Sequence, residues 1–300
     1  MRYFSLILFC CVLMGCSHKV LKQPAATAAP ATPEAPAAPA VQEAPADTVK
    51  DAKLKVLDSK LDQYLDAMKF ITPEEKYQEC DFLISSASDS LVRNHIAVYL
   101  YSKFISSNLM GDEAVAIYLT DNWFVPGKVS FMDYSELASA RVYADFNRQS
   151  LIGKKAPSLL TYPPMDDAKP EEVLPADGRY KVLFIFNTSC STCKAESVLL
   201  EEYFNGYKGV PFDFIAFYAG SDADAWQKWR EKHFAALAEG NGIIEVKDFW
   251  DPEIESDFQR KFGVLATPCM FLIDGDGTIL GRRLDPPGLK KMLEIINAGN

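Results

Sequence analysis

The sequence predicts two folded parts in series, an all-α helical domain over residues 49–150 and an α/β domain with a central sheet over residues 151–300. Three observations carry this. Between 49 and 150, apolar residues recur at spacings of three and four, which makes one face of a helix. After Gly153, short apolar runs rich in β-forming residues alternate with helical stretches, the pattern of a sheet flanked by helices. The 300 residues also exceed the roughly 150 usual for one domain.

The elements follow in order. Met1-Arg2 is a short positive start, residues 6–14 are an apolar core, and Leu13-Met14-Gly15-Cys16 closes it. Residues 1–15 therefore read as a secretory signal rather than a fold element. Residues 16–48 read as a linker. From Pro24 to Pro45 it is mostly Ala, Pro, Thr and Glu, which cannot bury enough apolar surface to fold. At ~3.1 Å per residue in an extended form it could hold the body tens of ångströms from a membrane.

Leu54, Leu57, Leu61, Tyr64 and Met68 predict the first helix. The second starts at "ITPEE", with Thr72 as N-cap, Pro73 at the first helical position and Glu75 completing a capping box. Residues 90–105, 111–124 and 132–150 predict three more. In the α/β part, residues 182–186, 212–218, 270–274 and 278–280 predict strands, the last after the Gly275-Asp276-Gly277 turn. Residues 193–205, 223–238, 253–262 and 287–298 predict helices.

A net charge of -10 and the lack of a Lys/Arg-rich block argue against nucleic-acid binding. No stretch after the signal is long and apolar enough to span a bilayer. Of seven cysteines, Cys10 and Cys11 fall in the signal, and Cys16 ends it. The other four are Cys80, Cys190, Cys193 and Cys269. That is too few for a disulfide-dense scaffold. Cys80 reads as a small core residue.

Cys190 and Cys193 lie where a predicted strand gives way to a helix. A helix N-terminus stabilises a thiolate, the nucleophilic form, through its free N–H groups and dipole. Cys193, one turn in, is placed to be less exposed and to resolve a mixed disulfide. Two intervening residues let the helical turn bring the sulfurs within bonding range. The same spacing also serves zinc sites and structural cysteine pairs. Zinc would need a second pair or histidines, and Cys80, Cys269, His18, His95 and His233 are scattered. No metal and no cofactor is expected.

Downstream, "FGVLATPCMFLIDGDGTI" places Pro268 directly before a buried strand, where it removes a ladder donor. A cis Thr267-Pro268 bond would explain it, and so would an edge strand. Cys269 follows. In a strand its side chain opposes that of Pro268 and packs inward, although a third redox thiol is the sharper alternative. Trp226 and Trp229, three apart, read as core.

These residues resemble two known patterns. Gly15-Cys16 at the end of the apolar run resembles the bacterial lipobox, which implies cleavage before Cys16 and acylation of its thiol. "SLIGKKAPSLL", the strand leading to Cys-x-x-Cys, and "KFGVLATPCMFLIDGDGTI", in that order, resemble TlpA/ResA-type thioredoxin-like thiol–disulfide oxidoreductases. The helical part resembles the N-terminal regions of Bacteroidetes-type thioredoxin-like lipoproteins. Together these imply a thioredoxin-like domain with a mixed sheet after a helical domain. They imply exchange of disulfides with client proteins, with Cys190 attacking and Cys193 resolving. Thr267 and Pro268 would line the client groove, with the Thr267 backbone pairing to an extended client. Glu196 matches an acidic position near the thiols that can relay protons; a solvated helix charge is the other reading.

The implied partners are client proteins, a membrane redox partner and, through lipid on Cys16, the membrane itself. Ser17-His18-Lys19-Val20 carries no acidic run of the kind that marks surface export, which implies a periplasm-facing anchor, at the outer membrane.

This chain departs from the family in having Ser189 where Trp usually precedes the first cysteine, Ser191-Thr192 inside the motif, and Phe184 where thioredoxins keep a buried acid. Two other functions stay open: a non-catalytic partner-binding module, and a thiol peroxidase. Against the latter, Asn187 stands three before Cys190, where peroxiredoxins carry threonine.

Overall fold

The computed structural model describes residues 46–131, 133–161, 169–234 and 242–299, with side chains from Ala52 onward. The expected signal, Cys16 and the Ala/Pro-rich linker lie outside the described residues. The helices from Leu54 onward share one compact unit with the sheet.

Five α-helices open the described chain: α1 (Ala46–Ala67), α2 (Pro73–Ser86), α3 (Ser90–Ile105), α4 (Asp112–Leu119) and α5 (Tyr134–Asn147). The Thr72 cap is a full capping box. Asp133 and Glu136 form another at α5. Leu61, Met68, Cys80, Ile84, Leu100 and Leu119 form the helical core. The predicted helix over 111–124 is α only to Leu119; Thr120–Phe124 is a π-helical turn. There the Thr120 hydroxyl donates to the Ala116 carbonyl at 2.9 Å, and the Val125 N–H reaches back five residues to Thr120. A hydroxyl competing for the backbone carbonyl is what disturbs the regular ladder.

Two short strands, β1 (Leu160–Thr161) and β2 (Glu171–Glu172), pair antiparallel. The main sheet has the order β5-β4-β3-β6-β7. β3 (Tyr180–Phe186), β4 (Phe212–Tyr218) and β5 (Ile244–Trp250) run parallel. β6 (Cys269–Ile273) is antiparallel to β3, and β7 (Ile279–Arg282) to β6. The expected mixed sheet is thus present. β3 and β4 are covered on both faces, which is why they read as unbroken apolar runs.

α6 (Ser191–Asn205), α7 (Ala223–Lys232) and α9 (Pro286–Gly299) supply the core on one face, with Leu200, Phe204, Trp226, Trp229 and Leu293. The other face buries Leu159, Ile185, Phe217 and Phe271 with Phe258 and Phe262 of α8 (Phe258–Phe262). Residues 153–156 bond alongside 277–279, so "GKKA" extends the β7 edge.

Three sequence readings need correction. β5 was not foreseen: it is the outer strand and carries Glu245, Lys247 and Asp248, which break the apolar run. The helix expected over 253–262 exists only as α8. Asp251 captures the N–H groups of Glu255 and Ser256, and Asp257 sits at φ +56, so the chain cannot turn helical earlier. α7 ends at Lys232 rather than continuing to 238, and 235–241 lie outside the described residues.

Candidate functional site

β3 delivers the chain to its carboxyl end at Phe186, and an Asn187 turn follows. The Asn187 carboxamide oxygen accepts the Ser189 N–H at 2.9 Å and the Ser189 hydroxyl at 2.8 Å. The Asn187 carbonyl accepts the Cys190 N–H at 3.1 Å. This turn makes Cys190 the N-cap of α6, and the Cys193 N–H points at the Cys190 Sγ, 3.0 Å away. A cap sulfur facing the positive end of a 15-residue helix is the setting that favours a thiolate.

Cys190 and Cys193 are joined by a disulfide, their Cα atoms 5.2 Å apart. Cys190 is half-buried, whereas Cys193 is 1% exposed and belongs to the core that holds Phe184, Phe186 and Met270. An attacking sulfur from outside therefore reaches Cys190. The Thr267–Pro268 bond is cis, and the Thr267 carbonyl oxygen lies 3.3 Å from the Cys190 Sγ. The structure thus brings Thr267 and Pro268 against the cysteine pair. Leu265, just before them, is exposed.

Glu196 stands on α6 one turn beyond Cys193. It is not the solvated helix charge that was the alternative. It is half-buried, its Oε2 is buried without a hydrogen-bond partner, and burial, with Asp285 second, pushes its carboxyl up to about 7. Near neutrality it can both hold and accept a proton. The sign for stability follows. A carboxyl that binds its proton more tightly when folded favours the fold below its unfolded value of 4.5. That advantage is lost as pH rises to about 7. Glu196→Gln should therefore stabilise the protein above pH 7 by about 1–2 kcal/mol after allowing for partial solvation, and by nothing near pH 4. Urea unfolding at the two pH values checks this.

Cys269 is buried on the opposite face of the sheet from Cys193, with Ile185 and Phe271. Burial, against Arg282 and Arg283, pushes its thiol up to about 11, and burial pushes that of Cys80 up to about 12. Both are free and buried, and Cys269 lies in the core on the other face of the sheet from Cys193, so the idea of a third redox thiol loses its geometric basis. Among the described residues no group of three His, Cys, Asp or Glu side chains could hold a metal. No described helix is long and apolar enough to cross a membrane. A cavity of about 390 Å³ lies among the helices instead, but its lysines are paired: Lys76 with Asp112 at 2.6 Å, Lys103 with Asp62 at 2.7 Å.

Sequence reasoning missed the frame around Cys190. The Thr188 hydroxyl meets the Tyr218 hydroxyl at 3.2 Å, and Tyr218 packs with Trp226 and Trp250.

The Redoxin family model matches residues 152–296. Among solved structures, the chain is similar to a thioredoxin-like protein from Bacteroides caccae, at 15% identity and a TM-score of 0.61, over 87% of this chain and 97% of that one. It is also similar to a thiol-disulfide oxidoreductase from Bacteroides fragilis (19%, TM-score 0.37, 48% and 99%). A thiol:disulfide interchange protein from a Bacteroides species is comparable (17%, TM-score 0.39, 50% and 92%). No curated protein matches the sequence.

Proposed function

Since residues 152–296 match the Redoxin family model and the chain has a thioredoxin-like fold, we propose that the protein is a thiol–disulfide oxidoreductase that exchanges disulfides with client proteins through Cys190 and Cys193. One observation carries the reading: a cysteine pair at a helix N-terminus, one sulfur accessible and one buried, set against the Thr267 backbone.

In the reducing direction, the Cys190 thiolate attacks a client disulfide. A Cys190–client bond forms, and one client sulfur leaves as thiolate. Cys193 then gives its proton to the Glu196 carboxylate and attacks Cys190. The Cys190–Cys193 bond forms, the client bond breaks, and the second client sulfur departs. The pair has lost two electrons and the client has gained them. In the oxidising direction the same steps run backwards. An extended client segment pairs with the backbone at Thr267 and covers Leu265, which places its sulfur beside Cys190. Of the pair only Cys190 is reachable from outside, beside the exposed Leu265, which suits a macromolecular client.

Acylation at Cys16 would anchor the protein to the outer membrane facing the periplasm, where a membrane redox partner resets the pair. The test is equilibration of the purified protein with glutathione, followed by insulin reduction. An exchanging pair is partly reduced at accessible potentials and turns insulin over.

A further inference from the structure

Tyr218 ends β4 with its side chain 1% exposed, in the same core as Cys193. Its ring stacks with Trp226 and packs with Phe186 and Trp250, contacts that a phenylalanine would make as well. What tyrosine adds is a buried hydroxyl, which is costly without a partner. The partner is the Thr188 hydroxyl at 3.2 Å, two residues before Cys190.

The surroundings fix the Tyr218 end of this pair. A Cβ at residue 220 would collide with the Tyr218 hydroxyl, so glycine is what lets the ring end there. The Trp250 indole N–H donates to the Gly220 carbonyl at 2.7 Å. The Ala219 N–H donates to the Phe186 carbonyl at 2.8 Å, which joins the end of β4 to the end of β3 where the cysteine loop departs. Within that loop the Asn187 and Ser189 side chains bond to each other, whereas Thr188 reaches out of it to the sheet.

This tie carries most weight when the pair is reduced. In the oxidised form the Cys190–Cys193 bond itself holds the Cys190 sulfur against α6. Reduction breaks that bond, and the loop then relies on its other contacts to keep the sulfur at the Cys193 N–H, where a thiolate is stabilised. We propose that Tyr218 is a positioning residue of the exchange site, which through Thr188 holds the reduced Cys190 loop in its capping geometry. This rests on the reading of Cys190–Cys193 as the exchanging pair. Losing the tie weakens the dithiol form and not the disulfide, so the pair becomes harder to reduce.

The test uses the full chain and two readouts. One is the equilibrium constant of the pair with glutathione. The other is the pH midpoint of Cys190 alkylation after reduction with dithiothreitol. The groups bonded to the Cys190 sulfur across the loop are backbone, the Cys193 N–H and the Thr267 carbonyl, so Tyr218→Phe alters neither. Tyr218→Phe should shift the equilibrium towards the disulfide by about twofold or more and raise the midpoint by about half a pH unit or more. Thr188→Val should shift both alike, and the double variant should go no further than either single change. Thr188→Val also leaves the Tyr218 hydroxyl buried without a partner, so urea unfolding of the oxidised protein should find it less stable than Tyr218→Phe. A midpoint unmoved in Tyr218→Phe, or shifts that grow with the loss of stability, would overturn the proposal alone. An unaltered pair that does not exchange with glutathione would overturn the reading beneath it, and the proposal with it.

Discussion

Cys190→Ser should abolish insulin reduction, a loss of about a thousandfold or more, because it removes the nucleophile itself. Cys193→Ser should behave differently. It leaves Cys190 at the helix N-terminus with its thiolate still stabilised by the N–H of residue 193. Attack on a client disulfide then proceeds, but nothing resolves it, and a Cys190–client disulfide accumulates. The contrast follows from burial: Cys193 is 1% exposed and reaches only Cys190. Equal reactivity of both single-cysteine variants towards an alkylating reagent would contradict this assignment. Cys80 and Cys269 remain in both variants, buried and poorly ionised.

Arg282→Ala should destabilise the protein by about 3–5 kcal/mol, the cost of breaking a buried charge pair from one side. Arg282 closes β7 with its side chain 1% exposed. One guanidinium nitrogen donates to the Asn147 carboxamide oxygen at 2.8 Å, and another lies 3.2 Å from the Glu113 carboxylate. Arg283 donates to the same Asn147 oxygen at 2.9 Å. Asn147 is fully buried and donates to the Tyr143 carbonyl at 2.8 Å. The clasp therefore joins α4 and α5 to the edge of the sheet. Removing Arg282 strands the Glu113 carboxylate, whose side chain is only 11% exposed. Arg282→Met with Glu113→Gln should recover part of the loss, since neither partner then carries an unpaired charge. Urea unfolding of the single and double variants measures both. A change below about 1 kcal/mol in Arg282→Ala would mean the clasp is a contact without energetic weight.

The clasp also shows what a sequence read along its length can reach. The strand leading to Cys190, the helix after it, the capping box at Thr72 and the cis proline were legible because each is specified within a few residues. The Arg282–Asn147 pair spans 135 positions, and no local pattern announces it. Glu196 is intermediate. Its place one turn beyond Cys193 follows from the spacing. Its burial is set by what packs over α6 in the fold, which no local pattern shows, so the sequence left a solvated charge as the other reading. β5 failed for the opposite reason: an outer strand alternates charge with bulk, and local pattern alone does not separate it from a loop.

The loss of Trp before Cys190 has a structural counterpart. Ser189 is exposed and held by Asn187, and the aromatic bulk near the loop comes instead from Tyr218, Trp226 and Trp250. Thr188 connects the loop to that cluster through the Tyr218 hydroxyl. Tryptophan fluorescence is thus a natural probe of the cysteine pair's redox state.

The most direct measurement is the equilibrium of Cys190 and Cys193 with glutathione buffers of graded ratio, read by that fluorescence and by thiol alkylation. An exchanging pair should pass from disulfide to dithiol at a potential above about −300 mV, and the reduced protein should then reduce insulin catalytically. A pair that stays oxidised below about −300 mV, with no turnover, would contradict the account and leave the disulfide as a structural lock on a binding module.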